Sequence, residues 1–223
     1  MNNKVVIITG ATGALGSKAA HAFAEHGHSL VLLDNDQGKL DSLTGDLNLP
    51  AERLHASVVD LRDGQAVRAA AEAVSAKFGG VHALIHLVGG WVGGKTLVEA
   101  SADDLEFMLG QHVWSTFHLF QAFTPHLVEQ GWGRVIVVSA STVPNPPGKA
   151  GIYTAAKAAQ ENLVLNLAAE LREQGVTANV IQVRAIDAKN TGKGTTPAEI
   201  VAAMLYLFSD EAAKVNGARV PLY

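Results

Sequence analysis

Residues 5–17 read VVIITGATGALGS. An apolar, largely β-branched run stops at Gly10, glycines recur at 13 and 16, and an Ala-rich segment follows. That is the pattern of a buried strand, a tight turn and the start of a helix. Gly10 allows the sharp turn, and the small residues after it let the backbone approach a pyrophosphate. The helix start offers unpaired N–H groups and positive dipole charge to such an anion. The G-x-x-G-x-x-G spacing differs from the G-x-G-x-x-G of the dinucleotide fingerprint. Its place between first strand and first helix still marks Gly10, Thr12, Gly13, Ala14, Leu15 and Gly16 as residues that would hold a dinucleotide.

The next strand ends VLLDND, which puts Asp34 at its C-terminus, eighteen residues past Gly16. A carboxylate there accepts hydrogen bonds from both ribose hydroxyls of NAD and repels the 2′-phosphate of NADP. No arginine lies nearby to offset that repulsion, so NAD (as NADH) is the expected cofactor and NADP the less favoured one. A second role for Asp34, as N-cap of a helix starting at Asp36, remains open at this level.

Outward from this unit the chain alternates. Strands are predicted at Lys4–Ile8, Ser29–Leu33, Leu54–Val58, Ala83–His86, Arg134–Ser139, Thr177–Gln182 and Ala218–Leu222. Helices are predicted at Ala14–His26, Asp36–Leu43, Asp63–Phe78, Ala102–Glu129, Ile152–Gln174 and Pro197–Leu207. Several strands are almost wholly apolar, as in a parallel sheet covered on both faces. Strand–helix alternation implies right-handed crossovers and a doubly wound α/β sheet flanked by helices. Gly27, Gly79, Gly131 and Gly175 stand where helices should stop.

The 223 residues suit one domain, 1–223, with a full-sized core. A hydrophobic fraction of 48% and a charged fraction of 17% describe a globular chain, not a disordered one. Net charge is −4 and Lys/Arg are not clustered, which argues against nucleic acid and anionic membrane as partners. There is no cysteine, hence no thiol chemistry and a fit to a reducing compartment. The N-terminal apolar run is too short for a signal peptide, and no apolar stretch is long enough to span a bilayer. A soluble cytoplasmic protein acting on a small molecule is expected. Nine histidines show no tight ligand spacing, so no metal is expected. The long helices 102–129 and 152–174 are apolar around most of their circumference, which predicts a homodimer or homotetramer built through them.

Residues 137–157, VVSASTVPNPPGKAGIYTAAK, carry the chemistry. Tyr153 and Lys157 are four apart and share a helix face. With TGATGALG and with Asp60-Leu61 after the third strand, YTAAK makes the whole chain resemble the short-chain dehydrogenase/reductases. The resemblance implies a Rossmann-type, mostly parallel seven-stranded sheet in the order 3-2-1-4-5-6-7. It also implies an oxidoreductase moving hydride between NAD(H) and a substrate. Tyr153 would exchange the substrate proton, and Lys157 would hold the nicotinamide ribose and lower the tyrosine's pKa. Asp60, Leu61, Val88, Gly89, Gly90, Tyr153, Lys157 and Val183 would contact the cofactor.

The departures from that family are informative. His86-Leu87-Val88-Gly89 replaces an asparagine-rich turn, and His112 takes the slot of a catalytic asparagine. Ala140 takes the slot of the catalytic serine, thirteen residues before Tyr153. Ser141 becomes the candidate to fill that role through a bulge, with Ser139 behind it. Dihydropteridine reductases share the missing serine, and GALGS and GGWVGG (89–94) resemble their segments. The chemistry fits: a conjugated ring spreads the charge that a ketone would concentrate on one oxygen, so a fixed hydroxyl matters less. Trp91 and His112 are then candidate substrate contacts. A different class of function, an NAD-binding sensor or scaffold that has lost catalysis, fits the same eroded positions. Retention of both Tyr153 and Lys157 favours the enzyme.

Overall fold

The computed structural model describes residues 3–223. Seven strands form one sheet: β1 (Val5–Thr9), β2 (Ser29–Asp34), β3 (Leu54–Val58), β4 (Ala83–His86), β5 (Gly133–Ala140), β6 (Val176–Val183) and β7 (Arg219–Pro221). Their order is β3-β2-β1-β4-β5-β6-β7, and every pairing is parallel. The helices are α1 (Ala14–Glu25), α2 (Gln37–Leu47), α3 (Gly64–Phe78), α4 (Ala102–Leu109), α5 (Ser115–Glu129), α6 (Gly151–Glu170) and α7 (Pro197–Phe208).

Alternation along the apolar strands divides the core. Val5, Ile7, Val31 and Leu33 pack with α3, α5 and α6 on one face. Val6, Ile8, Leu30 and Leu32 pack with α1, α2 and α7 on the other. Successive side chains of a strand point to opposite faces, so a strand covered on both sides must be apolar throughout. Gly27, Gly79, Gly131 and Gly175 all adopt positive φ at the turns that end helices.

Most predicted ends differ by at most one residue, and three helices depart further. The second helix begins at Gln37 and runs to Leu47, with Asp36 as its N-cap accepting the Lys39 N–H at 3.1 Å. The helix after the proline loop ends at Glu170, in a turn rather than at Gln174. The expected single helix from Ala102 to Glu129 is interrupted by a π-helical turn, Gly110–Trp114. Hydroxyls of Ser115 and Thr116 bond back to the carbonyls of Gln111 and His112 at 2.6 Å each. Such back-bonding bends helices, and single π turns concentrate at functional sites. This one carries His112.

The face of α6 also departs from expectation. Its buried residues include Thr154, Lys157, Gln160 and Glu161. Glu161 is wholly buried, accepting from Gln182 Nε2 at 2.9 Å and pairing with Arg219 Nε at 2.6 Å. Part of what makes this helix unusual is therefore a buried polar stripe facing β5 and β6. Among the described residues, no helix is long and apolar enough to cross a membrane.

Candidate active site

The crossovers from β1 and β4 leave the sheet in opposite directions, and open α/β sheets bind ligands in the crevice this creates at the strand C-termini. Two cavities of about 530 and 370 Å³ open there and meet at Leu87 and Gly89.

The larger cavity brings together Gly10, Thr12, Gly13, Asp34, Asp60, Leu61, Val88 and Gly89. Asp36, Asp63, Ser101 and Thr196 cap α2, α3, α4 and α7 with side-chain oxygens, but the N-cap of α1 is Gly13, which has none. The first turn of α1 also lacks an acidic residue. Its N–H groups are thus left for an external anion, which fits a pyrophosphate. Asp34 sits at the cavity edge, its two oxygens accepting the N–H groups of Thr12 at 2.9 Å and Asn35 at 2.8 Å. The helix cap is Asp36, so the capping role does not fall to Asp34.

One sequence expectation is corrected here. Arg62 lines the same cavity as Asp34, although no arginine was expected near it. The pairing of β2 with β3 carries the segment after β3 alongside Asp34, a proximity invisible along the chain. The guanidinium is already engaged by Asp60, at 3.0 Å from Nε and 2.7 Å from Nη2. These bonds hold the Asp60 carboxyl below its usual range.

The smaller cavity is lined by Leu15, Gly90, Trp91, His112, Tyr153, Lys157 and Val183, with Ser139 and Ala140 on its floor. Ala14, Gly16 and Ser141 line neither cavity. Ala14 is exposed at the start of α1, and Gly16 packs inward against the carbonyls of the turn. Ser141 lies one residue past β5, its N–H bonded to Val183 O at 2.9 Å. The strand therefore runs to Ala140 without the bulge that would bring Ser141 in. Trp91 keeps 64% of its surface exposed and rests on Gly93 at the cavity mouth.

Lys157 is buried, and its Nζ donates to Val138 O and Gln160 Oε1, each at 2.9 Å. Burial lowers its pKa to about 7, against the opposing pull of the Glu161 carboxylate. The Tyr153 phenol is pushed above its ordinary value by burial. Burial outweighs the lowering of the tyrosine that the family resemblance implies. Tyr153 is thus held protonated, the form a proton donor needs.

His112 is fully buried, with its ring edge-on to Tyr153 at 5.7 Å between centroids. Its Nε2 donates to Gly90 O at 3.0 Å and its Nδ1 has no partner among the described residues. Burial and the nearby Lys157 charge lower its pKa to about 3, so it is neutral. A Cβ on Gly89 would lie 3.0 Å from His112 Cε1 and 3.9 Å from Lys157 Nζ, so this glycine keeps a cradle open beside both. His86 is buried, and burial, together with the Lys157 charge, lowers its pKa to about 3. It joins Thr9 Oγ1 at 2.7 Å to Ser115 Oγ at 3.4 Å and so braces β1 and β4 against α5.

Sequence reasoning missed Arg62, His86 as a brace, Ser115 and Gln160. Arg62 alone carried a signal, two residues past Asp60. The others belong to no local motif, so only contacts disclose a role.

The short chain dehydrogenase family model matches residues 4–198. The chain belongs to the short-chain dehydrogenase/reductase family. It is 30% identical to a meso-2,3-butanediol dehydrogenase of Serratia marcescens, over 99% of this chain and 93% of that protein. It is 28% identical to a D-threitol dehydrogenase of Mycolicibacterium smegmatis, over 98% and 90%. A short chain dehydrogenase structure from Bacillus anthracis superposes with a TM-score of 0.90 at 26% identity, covering 98% of this chain and 94% of that one. This short-chain dehydrogenase/reductase is accordingly an oxidoreductase on an NAD(P)-binding fold.

Proposed function

We propose an NADH-dependent reductase of a small, conjugated or cyclic substrate, with Tyr153 as the proton donor. The observation that supports it is the smaller cavity: a protonated tyrosine, a buried lysine and a neutral His112 under an exposed indole, with Ala140 where a hydroxyl would be expected. When bound along the cleft, a nicotinamide cofactor supplies or accepts the hydride. The uncapped start of α1 would hold its pyrophosphate, Asp34 its adenine-side ribose and Lys157 its nicotinamide-side ribose. Trp91 offers a flat apolar face to a flat ring at the mouth. A quinonoid dihydropterin meets this description. The relatives' names point to small polyols, so the assay panel should pair dihydropterin and quinones with vicinal diols and their ketones. NADH oxidation confined to simple ketones would refute the conjugated-substrate part.

For the cofactor, Asp34→Ala is expected to shift the NADH-to-NADPH ratio of kcat/KM towards NADPH by about ten- to a hundredfold. That is the scale of losing charge-assisted hydrogen bonds worth about 1.5–3 kcal/mol. Steady-state kinetics with both cofactors checks it; an unchanged ratio removes Asp34 as the selector.

Assembly through the long helices is the second part of the proposal. Phe107, Trp114 and Phe117 stay 45, 54 and 38% exposed on α4, the π turn and α5. A shallow cavity of about 370 Å³ between α5 and α6 adjoins Phe117. Exposed apolar side chains grouped in this way support contact with another copy of the chain. Trp114→Glu with Phe117→Glu is expected to convert a dimer or tetramer to monomer in sedimentation velocity. A monomeric wild type would end this part.

A further inference from the structure

We propose that Gln160 is a positioning residue for Lys157, holding its ammonium with the carboxamide oxygen and tying it through Thr116 to the main-chain carbonyl of His112. This rests on Lys157 belonging to the cofactor and proton-transfer site. Gln160 is fully buried, three residues beyond Lys157 on the same helix face. Lys157 Nζ donates to Gln160 Oε1 at 2.9 Å, Gln160 Nε2 to Thr116 Oγ1 at 2.8 Å, and the Thr116 hydroxyl to His112 O at 2.6 Å.

The direction of each bond is forced. An ammonium only donates, so the amide must turn its oxygen towards it. The Thr116 proton is committed to the His112 carbonyl, so its oxygen receives the amide N–H. Two of the three N–H bonds of Lys157 are then fixed, by Val138 O and by Gln160, and the third is left for the cleft. An apolar residue at 160 would leave a buried ammonium with one acceptor, a costly state. A glutamate would add a charge and lock the proton on. Glutamine holds the ammonium and still lets it titrate.

The other titratable groups facing Lys157 do not substitute for it. His86 from β4 and His112 from the π turn are neutral near pH 7. Tyr153 is protonated, and Glu161, on α6 with it, pulls on the ammonium through space while its oxygens bond Gln182 and Arg219. From β5 comes only the Val138 carbonyl.

The test is the titration of Lys157 in cofactor-free protein carrying 13C at lysine Cε, read by NMR and assigned with Lys157→Met. The wild-type resonance should titrate near pH 7. Gln160→Leu should lower its proton affinity by about tenfold, one pH unit, and Thr116→Val by less in the same direction. Gln160→Glu should raise it. A merely structural glutamine would change the melting temperature and leave these titrations in place; that result overturns the proposal. If Gln160→Leu does not fold, Gln160→Glu and Thr116→Val decide, and an unmoved Lys157 in both overturns it. NADH binding to the wild type, followed by fluorescence, is scored separately. Its absence would refute the cofactor assignment and leave the titration result standing.

Discussion

Tyr153→Phe should reduce kcat by about 10²–10⁴-fold, the contribution of a positioned proton donor, with NADH affinity unchanged. The substitution removes one oxygen and little else. The ring would still pack edge-on against His112, and among the described residues the Tyr153 hydroxyl makes no hydrogen bond that the change would break. Stability should therefore stay close to wild type, so the loss reads as chemistry. Ala140 offers no hydroxyl to share the load and Ser141 lies outside the cavity, while Ser139 lines it with a buried hydroxyl that has no partner among the described residues. The pH dependence has a definite sign. Burial keeps Tyr153 protonated through neutral pH, whereas Lys157 loses its proton as pH rises through about 7. A positive neighbour stabilises the phenolate left by proton donation, so loss of that charge should make kcat/KM for reduction fall above that point. Single-turnover NADH oxidation by both proteins across pH checks this. Turnover that survives in the phenylalanine variant would remove Tyr153 as the donor.

Strand positions and sheet class were legible in the sequence because a strand buried on both faces must be apolar throughout, and VVII, LVLL and VIVV are. The glycine turn and the spacing of Tyr153 and Lys157 were legible because both are local. Non-local features stayed hidden. Arg62 reaches the Asp34 cavity across two paired strands. The π turn at Gly110–Trp114 leaves no mark on composition, yet it brings His112 against Tyr153. Gln160 stands between two alanines and a Glu-Asn pair in a helix whose apolar look suggests a second subunit, while its partners Lys157 and Thr116 lie inside the same molecule. Entry of Ser141 through a bulge is ruled out by one fact of register: β5 pairs regularly with β6 as far as Ala140–Val183.

Gly16→Ala should disable the cofactor turn, while Gly13→Ala should spare the fold and fail at binding. The two glycines stand three residues apart in one motif, but their surroundings separate their roles. A Cβ on Gly16 would overlap the carbonyl oxygen of Gly10 and lie 2.7 Å from that of Ala11. Carbon and oxygen normally approach to about 3.3–3.6 Å, so the turn would have to open by something near an ångström. Overpacking of this kind costs about 1–3 kcal/mol, or about 2–4 °C of melting temperature per kcal/mol for a chain of this size. The displaced N–H groups would also miss the pyrophosphate, and a 1 Å misplacement is enough for about a hundredfold loss in kcat/KM. A Cβ on Gly13 would meet only Gly10 O, at 3.4 Å, an ordinary contact. Gly13 is exposed in the larger cavity, so its methyl group would occupy space meant for the ligand rather than for the protein. Thermal melts and NADH titrations of both variants test this division: Gly16→Ala should lose on both measures and Gly13→Ala on binding alone. Wild-type melting of Gly16→Ala would show that the turn has slack the geometry denies it. Wild-type NADH affinity in Gly13→Ala would place the pyrophosphate away from this helix start.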